Sequence, residues 1–156
     1  METICKNREE TGLLAGEIHS KLLKLGGVGA HAVIVCLSGE LGTGKTTLVG
    51  FLAEHFGIES NIISPTFVIM KNYKVRDSCF KTLVHIDAYR LESSDELAKL
   101  GWQEILENGE NIIFVEWPER VGGLLPENCV KIELRHLGGD VRQIKILWPE
   151  KKKTKK

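Results

Sequence analysis

Eight consecutive residues, Gly39-Glu40-Leu41-Gly42-Thr43-Gly44-Lys45-Thr46, carry the strongest chemical signal in the chain. Their pattern, G-x-x-x-x-G-K-[ST], is that of a loop wrapping backbone N–H groups around an anionic phosphate. Glycines allow close approach and positive φ, and the helix N-terminus that follows adds partial positive charge. Lys45 would bring a point charge to the β- and γ-phosphates, and the Thr46 hydroxyl could ligate Mg2+. With Thr47, these residues form the expected nucleotide-binding set.

Such a loop needs an acid near the metal and the attacking water, commonly at the end of an apolar strand. Asp87 follows Leu83-Val84-His85-Ile86, and Glu116 follows Ile112-Ile113-Phe114-Val115. One would ligate Mg2+ or its water while the other orients or activates the attacking water; spacing leaves the roles open. Lys45, Asp87 and Glu116 are thus the candidate catalytic residues. Ser64-Pro65-Thr66 lies where many phosphate-loop proteins keep a segment that senses the γ-phosphate, and Thr66 could reach the metal. Its plainer reading is a proline turn opening a strand. Tyr89 and Arg90 follow Asp87, and Arg90 could offset phosphate charge or pair with Glu92. Trp117 could shape the pocket or simply pack. No Asn/Thr-Lys-x-Asp or Asp-x-x-Gly signature occurs, so ATP is expected rather than GTP. The five histidines read as structural or exposed.

The elements that must position these residues follow from hydrophobic period. Asn7 caps a helix with Glu10 reaching back, and Leu14, Ile18, Leu22 and Leu25 share its inner face before Gly26-Gly27. Residues 32–38 form a buried strand leading into the glycine loop. A helix follows with Leu48, Phe51, Leu52, His55 and Phe56 on one stripe and Gly57 as its stop. Residues 66–73 and 81–87 make an antiparallel hairpin around Arg76-Asp77-Ser78. Ser93 and Glu96 open one or two short helices through Glu107. Residues 111–117 form another strand, and 130–137 with 141–148 a closing hairpin. The fold class expected is α/β: a phosphate-loop NTPase with a mixed, mostly parallel sheet flanked by helices and extended by antiparallel hairpins.

The 156 residues suit one domain, expected over 1–149, with 150–156 a disordered basic tail. At 42% hydrophobic and 27% charged, the composition is that of a soluble globular chain. No apolar run approaches a membrane span and no secretory signal is visible, so a cytoplasmic location is expected. Four scattered cysteines lack metal or disulfide spacing and read as structural. The formal net charge is zero, yet five lysines crowd residues 151–156. Residues 1–150 therefore carry 16 basic against 21 acidic residues. Residues 91–119 hold eight acids and one base, Lys99. That stretch is a solvated acidic face or a docking face for a basic partner. Contact with nucleic acid would be indirect or confined to the tail.

Taken together, these residues resemble the TsaE (YjeE) family, the small ATPase of tRNA threonylcarbamoyladenosine biosynthesis. The likeness rests on residues 41–47, Ser64-Pro65-Thr66-Phe67, His85-Ile86-Asp87-Ala88-Tyr89-Arg90-Leu91, Val115-Glu116-Trp117-Pro118 and Leu124-Leu125-Pro126. It runs in order from about residue 4 to 148. Ala88 stands where a larger apolar residue is common, and the lysine tail lies outside the pattern. The resemblance implies weak ATP hydrolysis activated in a complex with the TsaB and TsaD proteins. TsaD transfers threonylcarbamoyl to the adenosine beside the anticodon in tRNAs reading codons that begin with A. The ATPase would reset or regulate that transferase rather than perform the transfer. By the same match, Thr46 and Glu116 would hold Mg2+, and Asp87 would be essential for hydrolysis. Thr66 would lie in a nucleotide-sensitive segment and Trp117 beside the active site. The rival readings are a nucleotide-gated binding protein with negligible hydrolysis and a small-molecule kinase. The kinase is disfavoured because six arginines are spread singly from Arg8 to Arg142.

Overall fold

The computed structural model describes residues 1–26, 29–63, 68–76 and 78–150. Helix α1 (Arg8–Leu25) begins as its sequence dictates, with the Asn7 side chain accepting the Glu10 N–H at 2.9 Å. The return bond of the box runs one residue further back, from the Lys6 N–H to Glu10 Oε2 at 2.7 Å. Thr11, Leu14, Ala15, Ile18 and Leu22 form its buried face, and Gly26 takes the C-cap position. Gly27 lies outside the described residues.

Seven strands make one sheet: β1 (Glu2–Cys5), β2 (Val33–Ser38), β3 (Met70–Lys74), β4 (Thr82–Asp87), β5 (Asn111–Glu116), β6 (Val130–Gly138) and β7 (Val141–Leu147). Their order is β1-β7-β6-β2-β5-β4-β3. The four middle strands are parallel, and β3, β7 and β1 join antiparallel at the two sides. This is the mixed sheet expected, with hairpins β3–β4 and β6–β7. The register places Asp87 opposite Glu116, and Leu37 opposite Glu116 on its other flank. All six residues of β5 are buried, which explains its unbroken apolar run: a central parallel strand is covered on both faces. Strand β1 has no counterpart in the sequence reading. It is four residues long and half exposed, so its pattern is too short to read.

Alternation along the strands divides the core in two. On one face Val35, Leu37, Ile112 and Phe114 pack with Ile18 and Leu22 of α1 and with Leu48, Leu52 and Phe56 on helix α2 (Lys45–His55) or just beyond its end. On the other, Ile34, Cys36, Val84, Ile86, Ile113 and Val115 pack with Leu97 and Trp102. These last belong to the short helices α3 (Ser94–Ala98) and α4 (Trp102–Leu106). Truncating a fully buried ring such as Phe114 to alanine would cost about 3–5 kcal/mol. At α3 the expected cap is altered. Ser93 makes no side-chain cap bond, and Glu96 instead accepts the Glu92 N–H at 2.9 Å. Among the described residues no helix is long and apolar enough to cross a membrane.

After β2 the chain crosses to β3 at the far edge, returns through β4 to β5 beside β2, and then passes to β6 on the other side of β2. Such a switch point opens a crevice at the carboxyl ends of the strands, where ligands bind in open α/β sheets.

Candidate functional site

Three segments meet at those carboxyl ends: the glycine loop after β2, Asp87 closing β4, and Glu116-Trp117 closing β5. The loop takes its shape from glycines at φ +145° (Gly39), +79° (Gly42) and +97° (Gly44). At Gly39 a Cβ would come within 2.5 Å of the Leu134 carbonyl oxygen, so a side chain has no room there. Thr43 is buried and its hydroxyl donates to the Glu40 carbonyl at 2.9 Å, closing the turn. Glu40 and Leu41 stand exposed at the tip. Thr46 and Thr47 begin α2, directly after Lys45.

Lys45 is buried, and its ammonium folds back to donate to the Gly39 carbonyl at 2.6 Å and the Glu40 carbonyl at 2.9 Å. It also lies 4.2 Å from the Trp117 ring centroid. Burial pulls this ammonium below the ordinary lysine value, while the Glu116, Asp87 and Glu119 carboxylates oppose the shift. Trp117 sits in the left-handed region at φ +58°, uncommon for a bulky residue. Its N–H donates to Leu37 O at 3.2 Å, and its carbonyl accepts the Arg120 N–H at 3.0 Å. These bonds hold the ring over Lys45 and against Tyr89, 4.9 Å between centroids.

Glu116 is 3% exposed and collects two side chains on one oxygen. The Thr46 hydroxyl donates to Oε1 at 2.8 Å, and His85 Nε2 lies 2.8 Å from the same atom. Asp87, 6% exposed, accepts the Tyr89 N–H on Oδ1 at 3.0 Å. The loop lysine, both acids, Thr46 and Trp117 are therefore brought together. Arg90 is exposed on the turn after β4. Ser64 and Thr66 lie outside the described residues.

Two residues were missed by sequence reasoning. His85, read as structural, is fully buried and bonded to Glu116. Its other nitrogen, Nδ1, has no partner among the described residues. The signal was available, because a period of two puts His85 on the same face of its strand as Asp87. Arg142 of β7 donates its Nε–H to the Thr43 carbonyl at 3.0 Å and its Nη1 to Gly139 O at 2.8 Å. Spacing carried no hint of a contact 99 residues away along the chain.

Thr46 and Glu116 supply hard oxygen donors beside a loop of backbone N–H groups, which fits Mg2+. Among the described residues no group of three or more His, Cys, Asp or Glu could hold a metal alone.

A glycine loop after a central parallel strand, with its lysine facing acids at the tips of neighbouring strands, defines a P-loop NTPase fold. The TsaE family pattern, described as Threonylcarbamoyl adenosine biosynthesis protein TsaE, matches residues 5–144. Curated relatives named tRNA threonylcarbamoyladenosine biosynthesis protein TsaE agree. The Rickettsia felis protein is 38% identical, over 92% of this chain and 78% of its own length. That of Treponema pallidum is 36% identical over 94% of this chain and 99% of its own. The crystal structure of Bacillus subtilis YdiB superposes with a TM-score of 0.69 at 28% identity, covering 92% of this chain and 82% of that one. The chain belongs to the TsaE family.

Proposed function

We propose that this chain is a Mg2+-dependent ATPase serving threonylcarbamoyladenosine modification of tRNA. In this reading it regulates or resets a TsaB–TsaD transferase rather than performing the transfer itself. The observation that carries the reading is the convergence of Lys45, Thr46, Asp87 and Glu116 on one crevice beneath the glycine loop. Phosphoryl transfer to water depends on positioning and charge neutralisation more than on covalent chemistry. The loop N–H groups would cradle the phosphates, and Lys45 would exchange two carbonyl partners for phosphate oxygens. Thr46 and Glu116 would hold the Mg2+. When bound, that ion would offset the negative charge of the phosphates. Asp87, fixed by the Tyr89 N–H, would orient the attacking water and accept its proton. Arg142 is engaged with loop carbonyls and Arg90 is exposed, so a partner-supplied cation fits the slow turnover expected of the chain alone.

Radiolabelled ATP, incubated with the chain with and without TsaB and TsaD, tests this. Phosphate release that rises with the partners is expected. Label passing to a small acceptor would indicate a kinase, and no release under either condition a nucleotide-gated binder. Lys45→Ala should abolish nucleotide binding. The chain's contact with tRNA is expected to be indirect, through that complex.

A further inference from the structure

The fold brings together two cysteines that lie 93 residues apart in sequence. Cys36, in β2, and Cys129, just ahead of β6, sit with Sγ atoms 3.4 Å apart. No disulfide links them; all four cysteines are free. Both line a cavity of about 350 Å³ that opens to the surface beside the active crevice. Its wall also includes Ser38, Glu119, Leu125 and Lys131. The first of these is the residue before Gly39. Nothing in the proposed ATP chemistry uses either sulfur.

We infer that Cys36 and Cys129 form an oxidant-reactive dithiol, a modification site that takes a small peroxide through this cavity and closes to a disulfide. Three observations support it besides proximity. The cavity gives a small molecule a route to Cys36 and Cys129, which are only 4% and 7% exposed. The Cys36 thiol donates to Cys129, which pulls the Cys129 thiol down to about 7; burial opposes this and the Lys131 ammonium assists. Donating and being buried push Cys36 upward. Cys129 is the more exposed residue and stands outside the strand that holds Cys36, so Cys129 attacks and Cys36 resolves. Cys129 ends a loop rather than lying inside a strand, which lets the sulfurs close from 3.4 Å to a bond of about 2.05 Å.

The chemistry balances. The Cys129 thiolate attacks one peroxide oxygen; an S–O bond forms, the O–O bond breaks, and the leaving hydroxide takes up the proton released when the Cys129 thiol ionised, giving the first water. The Cys36 sulfur then attacks the sulfenic sulfur. An S–S bond forms, the S–O bond breaks, and the departing hydroxide takes the Cys36 proton as a second water. The two sulfurs together lose two electrons, and peroxide is reduced.

The test treats the full chain with hydrogen peroxide and maps its thiols by peptide mass spectrometry. Exposed Cys79 serves as the internal comparison. A Cys36–Cys129 peptide pair lighter by two hydrogen atoms, reversed by dithiothreitol, is expected. Iodoacetamide given beforehand should label Cys129 ahead of Cys36 and block the link. In Cys129→Ser the link should vanish. If that variant does not fold, Cys36→Ala replaces it, and Cys129 should then stop at a sulfenic acid that dimedone traps. Cys79 oxidised while Cys36 and Cys129 stay reduced would overturn the inference, as would Cys36 being labelled first.

Discussion

His85 and Glu116 lie on neighbouring parallel strands and meet at 2.8 Å between Nε2 and Oε1, with Thr46 on the same oxygen. A carboxylate fixed by two donors keeps one orientation before any ligand arrives. Removing the buried donor should loosen it without touching the loop. His85→Leu is expected to weaken Mg2+-dependent nucleotide binding about 10- to 100-fold, the usual cost of losing such an outer support. His85→Gln, which keeps an N–H donor, should recover most of it. Titrating Mg2+ at fixed nucleotide by calorimetry separates this role from a structural one. A merely structural histidine would lower the melting temperature and leave the Mg2+ dependence unchanged.

Trp117 offers an optical report on Lys45. The ammonium lies 4.2 Å from the ring centroid, a contact worth about 0.5–2 kcal/mol. If Lys45 turns toward phosphate oxygens, the ring loses its cation and its emission must change. Adding Mg-ATP to the wild type should therefore shift tryptophan fluorescence, although Trp102 and Trp148 also emit. The shift should disappear in Trp117→Phe. An unchanged signal in that variant would place the reporter elsewhere.

Arg142 ties the closing hairpin to the phosphate loop through the Thr43 carbonyl and, on its own side, through Gly139 and Val141. A charged donor on a carbonyl contributes about 1.5–3 kcal/mol, so Arg142→Ala should lower nucleotide affinity by roughly tenfold or more. Arg142→Lys cannot span both ends with one ammonium and should behave nearly the same. Equilibrium binding with a fluorescent ATP analogue checks this, with thermal melting as the control for folding.

What was legible in the sequence was local. The glycine loop, the apolar strand before it and the stripe on α2 all repeat within a few residues, so spacing alone located them. Asp87 and Glu116 were legible because an acid ends an apolar run in each case. Arg142 was not, since its partner lies across a sheet whose order only tertiary packing decides. The Cys36–Cys129 contact escaped for the same reason: β6 joins β2 late in the chain, with three other strands between them in sequence. Strand β1 is an edge of four residues recruited by β7. Ser93 shows that local signals can also mislead, because Glu96 satisfies an earlier N–H and leaves the serine uncapped.

His19 makes an acid-side prediction. It stands on α1 with its ring edge-on to Phe56, 4.5 Å between centroids, and stacked on His55 at 5.7 Å. Burial, and then the neighbouring His55, lower its pKa from 6.5. The unfolded chain therefore binds this proton more readily than the folded one. Its contribution to stability is complete above pH 6.5 and is lost as pH falls through the lower folded-state value. Urea unfolding at pH 7.5 and at pH 5 should show less stability at the lower pH. His19→Gln, which carries no titrating ring, should flatten that difference, and His55→Gln should reduce it by removing the second charge. Carboxylates titrate lower still, so a slope that survives in both variants between pH 7.5 and 5 would assign the effect to a different group.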